Sequence, residues 1–440
     1  MARPSMNCRL SENPMDSRRQ VCQDLFYKIK EALISERLGV SLKGDPGTTR
    51  ALNRRLVLNQ LRRNGPMSRS AITAAIGLSP AAVTFVTAEL IQQGLVVEGK
   101  AIPGSGGRRP VPLDIDYASR LSIGLQVYVA RIAGVITDLS TRVLAEVSLP
   151  LPDHRPETVV KVSARAAEGL LAEARVSRRR LIGIGLAVAG QVDAEAGLCR
   201  QMQRFGWRNV PIAAMLADAV AVPVWVDNDA NAYAVQQQLF GHARGLQTIA
   251  AVAIGRGVGA GLVIDGRLHR GAGGAAGEFG HNFEERGRVC ECGRDGCLET
   301  YSSDGGMLTT WNRLDPETRG LGVDDLAAAA RAGDAIASGV LAEAGTRLGR
   351  HVAALVNLFD PEMIVFGGEG MRFGHHLLDS LRRVLAEVCY PGVPRIAVDF
   401  EATGWSRGAA ALAVQHFFNF EATGGYSAKT PKSARHQRVA

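Results

Sequence analysis

The hydrophobic rhythm of the chain changes twice. Before residue 50 the apolar positions keep no sustained period beyond a short helical stretch around Leu25 to Leu38, so residues 1–49 read as an extension of undetermined role. Arg50 to Arg63 is leucine-rich, free of Gly and Pro, and stops at Asn64-Gly65-Pro66, a helix end. Ser68 can cap a second short helix that runs to Ile76, with Ile72 and Ile76 on one face. Ser79 and Pro80 suit the N-cap and first turn of a third helix, whose buried stripe is Val83, Val86 and Leu90 and whose stop is Gly94. Strands at 95–97 and 111–113 then flank Gly104-Ser105-Gly106-Gly107-Arg108-Arg109, a hairpin tip. Three helices followed by a small β-hairpin predict a winged helix-turn-helix over residues 50–115.

From about Leu121 short apolar strands alternate with glycine turns and alanine-rich helices. Strands are expected at 121–127, 133–138, 181–188, 222–226, 248–254 and 363–366, and helices at 159–174, 210–218, 231–239 and 335–358. Such alternation predicts an α/β body with binding sites at strand ends. The polar stretch 421–440 reads as a disordered tail. No apolar run approaches the roughly 18 residues of a membrane helix, and the N-terminus lacks the apolar segment of a secretory signal. Seven cysteines in 440 residues, three of them between Cys290 and Cys297, do not make a disulfide framework. A cytoplasmic protein without membrane attachment is expected.

Charge sharpens the picture at the N-terminal end. Residues 1–110 hold 17 Lys and Arg against 8 Asp and Glu, leaving 34 against 35 for the rest of the chain. A basic module beside a neutral body suits the phosphate backbone of duplex DNA, where each neutralised phosphate releases counterions. The helix from Ser79 would lie in the major groove with Ser79, Ala81, Ala82, Thr84 and Phe85 near base edges, and Arg108 and Arg109 on the wing would reach the backbone or minor groove. A small helical domain that binds protein, with solvated arginines, is the alternative.

The strongest chemical signal is Gly277-Glu278-Phe279-Gly280-His281 followed by Cys290-Glu291-Cys292-Gly293-Arg294-Asp295-Gly296-Cys297-Leu298-Glu299. His281, Cys290, Cys292 and Cys297 supply the four soft donors of a tetrahedral zinc site, and four protein ligands close it, so its role would be structural. Buried free thiols beside a satisfied histidine are the alternative.

This element resembles the signature of the ROK family of repressors and sugar kinases, and the likeness runs over residues 120–418. With the winged helix in front, residues 50–418 resemble its transcriptional regulators. The resemblance implies a two-lobed actin-like ATPase fold that closes on a sugar and, in the kinases, on ATP. It places Gly190, Asn228, Asp229, Glu278, His281 and Glu299 at sugar-contacting positions, with His281 serving zinc and sugar through its two ring nitrogens. In a kinase Asp229 would be the catalytic base. For Asn228 and Asp229 ordinary helix capping is the alternative, and for Glu278 and Glu299 support of the zinc loop. The family's first phosphate loop departs here: Gln126 replaces its Asp, Tyr128 and Val129 replace glycines, and Ala130 replaces a hydroxyl donor. The second loop, Gly255 to Gly261, keeps its glycines but has Arg256 where the kinases usually carry Thr, and Gly367-Gly368 resembles the adenosine-side turn. The expectation is a non-enzymatic, sugar-responsive regulator binding operator DNA as a homo-oligomer, its effector a sugar or sugar phosphate. An ATP-dependent sugar kinase with an attached DNA-binding domain is the rival.

Overall fold

The computed structural model describes residues 46–100, 110–401 and 404–419. The wing tip with Arg108 and Arg109, the helical stretch near Leu25 and the tail from Glu421 lie outside the described residues. The head consists of helices Pro46–Asn64, Arg69–Ile76 and Pro80–Gln92 and a three-stranded sheet in the order Met67–Ser68, Pro112–Ile115, Val96–Glu98. Its first helix begins at Pro46, so the last residues of the expected extension belong to the head; Pro suits that first turn because its missing N–H has no intrahelical acceptor there. Ser68 and Ser79 cap the next two helices through their hydroxyls, accepting from the amides of Ala71 and Ala82 at 3.2 Å each. The expected stripe of Val83, Val86 and Leu90 is buried.

The body holds two five-stranded sheets of one topology. The first runs Val224–Asn228, Leu181–Val188, Leu121–Val127, Arg131–Asp138, Val143–Pro150, and the second Arg395–Val398, Met363–Gly367, Ile249–Ile254, Val258–Ile264, Arg267–His269. In each, three parallel strands continue into a two-strand antiparallel meander. Helices Pro156–Glu173 and Ile212–Val220 cover the first sheet, and Ala335–Phe359 and His375–Val388 cover the second with their apolar stripes.

Between the lobes lie Asp229–Leu239 and Gly404–Asn419. Close approach is possible because the sheet carries glycine at the contacts: a Cβ at Gly124 would overlap the backbone of Ser406 and Ala410, and one at Gly185 that of Ala409. The far end of Gly404–Asn419 enters the head. Val414 and Phe418 share one apolar core with Val57, Leu58, Leu61 and Ile72. Asn59 Nδ2 donates to the Phe418 carbonyl at 3.0 Å, and the buried Arg62 donates to the Leu239 carbonyl at 3.2 Å. Head and body are thus packed together through a common core.

Candidate functional site

A cleft of about 420 Å³ opens between the lobes. Gly190, Asn228, Asp229, Glu278, His281 and Glu299 all line it, so the fold brings together every residue assigned to the sugar pocket. Asn228 ends a strand and caps the helix that follows. Its Oδ1 accepts from the amides of Ala230 (2.9 Å) and Asn231 (3.4 Å), while its Nδ2 donates to the Gly190 carbonyl at 3.2 Å. Capping and cleft lining are therefore one arrangement: the cap fixes the side chain, and its amide ties the Gly190 turn to the strand end. Beneath it the buried Asp227 accepts from Arg270 and from Asn231 Nδ2, a rigid support for the helix start.

Asp229 sits in the first turn of the same helix. Burial, then the charges of Glu278 and Glu369, push its carboxyl up to about 7. Burial also raises Glu278, partly offset by His281, whose Nε2 lies 3.8 Å from Glu278 Oε2. Glu299 Oε2 accepts from the Val258 amide at 3.0 Å, which seats this carboxylate on the second glycine loop. The site thus offers several acceptors in a partly desolvated cleft, the chemistry that hydroxyl donors satisfy.

The nucleotide side is different. Gln126 is buried, its Nε2 3.5 Å from Asp229 Oδ2. Tyr128 packs its ring beneath Arg131, with 4.3 Å from the guanidinium carbon to the ring centroid. The expected second phosphate loop is corrected in part. Val258–Ile264 is a sheet strand, and Gly261 serves helix packing, since a Cβ there would strike Ala230 and Ala234. Two residues that sequence reasoning missed also line the cleft: Glu369, just past the Gly367-Gly368 turn, and Trp405, whose Nε1 donates to Glu369 Oε1 at 3.1 Å. No local motif marks them, because their partners are distant in the chain.

His281, Cys290, Cys292 and Cys297 converge with their ligand atoms all within 4.8 Å of one another, a group that could hold a metal ion. His281 Nδ1 lies 3.6 Å from Cys290 Sγ, and Cys292 Sγ lies 3.5 Å from Cys297 Sγ. Nδ1 therefore faces the sulfurs while Nε2 faces Glu278. The loop is anchored from behind by Glu284, on which Arg347 (2.9 Å), Arg350 (3.3 Å) and His351 (2.8 Å) converge. Across the cleft mouth Arg204 pairs with Glu291, and Gln191 Nε2 donates to the Gly273 carbonyl at 2.6 Å.

On the head, Ser79, Ala81, Thr84 and Phe85 are exposed, with Phe85 59% accessible. Ala82 is half-buried, not open as expected, because it packs in the first turn under the Ser79 cap. Thr84 turns its hydroxyl back to the Pro80 carbonyl at 2.8 Å.

Comparison with known proteins agrees with this division. The ROK family profile matches residues 122–416, and the winged helix-turn-helix DNA-binding profile matches residues 50–97. The xylose repressor of Caldicellulosiruptor bescii is 31% identical over 362 residues, covering 78% of this chain and 89% of the repressor. A crystal structure of a ROK family transcriptional regulator, a homologue of the E. coli MLC protein, superposes with a TM-score of 0.73 at 27% identity, covering 84% of this chain and 97% of that one. A ROK family glucokinase from Streptomyces griseus, in complex with glucose and AMPPNP, gives a TM-score of 0.60 at 28% identity, covering 67% and 99% respectively. With a two-lobed body matched along its length and a winged helix-turn-helix in front, the chain belongs to the ROK family.

Proposed function

We propose that the protein is a sugar-responsive transcriptional regulator, a repressor of carbohydrate-metabolism genes that works in the cytoplasm. The observation that carries this reading is one helix, Gly404–Asn419. It starts at the cleft with Trp405 and ends in the core of the head with Phe418. A sugar or sugar phosphate that prefers one lobe arrangement shifts that helix and, with it, the head; a ligand without such a preference would change nothing. The head reads duplex operator DNA with the exposed Ser79, Ala81, Thr84 and Phe85 of the helix that Ser79 caps, while Arg108 and Arg109 reach the backbone or minor groove. Two heads of a homo-oligomer, dimer or tetramer, read paired half-sites.

The metal is Zn2+, held by His281, Cys290, Cys292 and Cys297. Three thiolates and an imidazole suit its tetrahedral preference and leave no open position. It would fix the loop that carries Glu278, His281 and Glu299.

Fluorescence anisotropy on duplex DNA from upstream of the gene, at fixed salt and with a panel of sugars and sugar phosphates, tests the reading. Specific binding shifted tenfold by one of them supports it, and binding that none alters removes the sugar half.

The likeness to a glucokinase favours a second reading, an ATP-dependent sugar kinase with Asp229 as base. Gln126, Tyr128, Val129 and Ala130 count against it, and so does Glu369. Turnover of ATP with any sugar, abolished in Asp229→Ala, would establish it.

A further inference from the structure

The cleft is asymmetric in charge, and the asymmetry bears on which ligands it admits. Where Asp229 faces the turn Gly255–Gly257 the charges acting on it are carboxylates, while the arginines lining the cleft, Arg204, Arg256 and Arg294, gather around Glu291 and Cys292. A Cβ built at Gly255 would collide with the Glu369 carboxylate, and one at Gly257 would lie 2.9 Å from Glu299 Oε2. Two carboxylates are therefore seated on the glycine turn that, in a phosphate-binding loop, would leave its backbone open to an anion. Glu369 is held there by Trp405 Nε1, and Asp229 feels the charges of both Glu278 and Glu369. Arg256, from the same turn, is exposed, and its charged neighbours are Arg204 and Glu291 at the cleft mouth. It belongs to the rim.

A second observation comes from Gln126. The side chain is 2% exposed, it lines the cleft, and its Oε1 has no hydrogen-bond partner among the described residues. A buried amide oxygen without a donor is costly unless something supplies one. Among the described residues the side chain has one hydrogen-bond partner, the acceptor Asp229, which engages Nε2. A ligand hydroxyl entering beside Asp229 would provide the missing donor.

We infer that the cleft selects an unphosphorylated, neutral sugar: Gln126 Oε1 accepts from one of its hydroxyls, and the Glu369 carboxylate, lying where a phosphate would have to sit, excludes phosphate esters and nucleotide phosphates alike. The inference rests on the sugar-binding reading above and narrows it. It makes Gln126 and Glu369 specificity residues, one attractive and one repulsive.

Isothermal titration of the full-length, zinc-loaded protein tests this with D-xylose, D-glucose and N-acetyl-D-glucosamine, the terminal phosphate ester of each, and AMPPNP. A free sugar should bind, its phosphate ester should bind at least tenfold more weakly, and AMPPNP should give no binding heat. Glu369→Gln keeps an acceptor for Trp405 but removes the charge. It should narrow the gap between free sugar and ester at least tenfold, a change in the ratio that loss of packing, weakening both, would not produce. Gln126→Met should weaken the free sugar about tenfold. Thermal melting of both variants separates a local effect from unfolding, and the wild-type comparison of sugar with ester needs no variant. An ester that binds wild type as tightly as its free sugar overturns the inference while leaving sugar binding intact. So does a Gln126→Met protein with unchanged affinity. If none of the probes binds and none shifts DNA affinity, the sugar-responsive reading itself falls, and this inference with it.

Discussion

Truncation of Phe418 probes how the cleft speaks to the head. Its ring is 2% exposed in the core shared by the last turn of Gly404–Asn419 and the head residues Val57, Leu58 and Leu61. Phe418→Ala removes a fully buried aromatic side chain at a cost of about 3–5 kcal/mol. The Arg62 guanidinium, 5.7 Å from the ring centroid, loses its stacking partner as well, for about 0.5–1 kcal/mol more. A tenfold sugar effect on DNA affinity needs only about 1.4 kcal/mol of coupling. The loosened joint is therefore larger than the signal it must carry. The lobe cores are separate from this one, so the cleft should survive. We expect sugar affinity by titration calorimetry within twofold of wild type, faster hydrogen exchange in the helix Pro46–Asn64, and a sugar effect on DNA anisotropy reduced from tenfold to less than threefold. Faster exchange with an undiminished sugar effect would refute the route through Phe418.

Three further outcomes follow from the same geometry. Cys297→Ser removes one of four converging donors; metal content by plasma mass spectrometry should fall well below one per chain, and the sugar response should be lost while DNA binding persists. The folded state keeps a proton on Asp229 up to about 7 where the unfolded chain loses it near 3.8, so this carboxyl subtracts stability as pH rises between those values. The melting temperature of wild type should therefore fall by about 2–4 °C relative to Asp229→Asn between pH 5 and 8, and parallel melting curves would contradict the buried setting of this group. Phe85→Ala changes an exposed ring, so unfolding free energy should move by less than about 0.5 kcal/mol while operator affinity drops at least fivefold in the anisotropy assay.

What the chain reveals by itself follows the range of the interaction involved. The four metal donors fall within residues 281–297, so their spacing alone carries the convergence that the structure displays. The helix starts at Ser79 and Asn228 are local too, each cap being a side chain meeting an amide two or three residues on. Strand 181–188 is legible because its apolar run is unbroken, and strand 121–127 because Leu121, Ile123, Leu125 and Val127 alternate along it. Gly404–Asn419 escapes the same reading. It is enclosed by the first sheet, the helix Asp229–Leu239 and the head, so no polar face interrupts its alanines and no helical period emerges.

The two loop segments that resemble phosphate sites illustrate the limit most sharply. Replacing the first-loop residues with Gln126, Tyr128, Val129 and Ala130 is visible as a failed motif, whereas the glycines from Gly255 to Gly261 look preserved. In the fold those glycines are kept for other reasons. Gly261 admits the helix Asp229–Leu239, and Gly255 and Gly257 admit carboxylates arriving from Glu369 and Glu299. A preserved glycine testifies to close approach by something, and the sequence around it does not say by what. Here the approaching groups are carboxylates, which is the ground for the inference that a loop that looks fit for phosphate excludes it. On the reading proposed above, the first loop departs from a phosphate site by substitution, and the second by what its glycines admit, the protein's own acids.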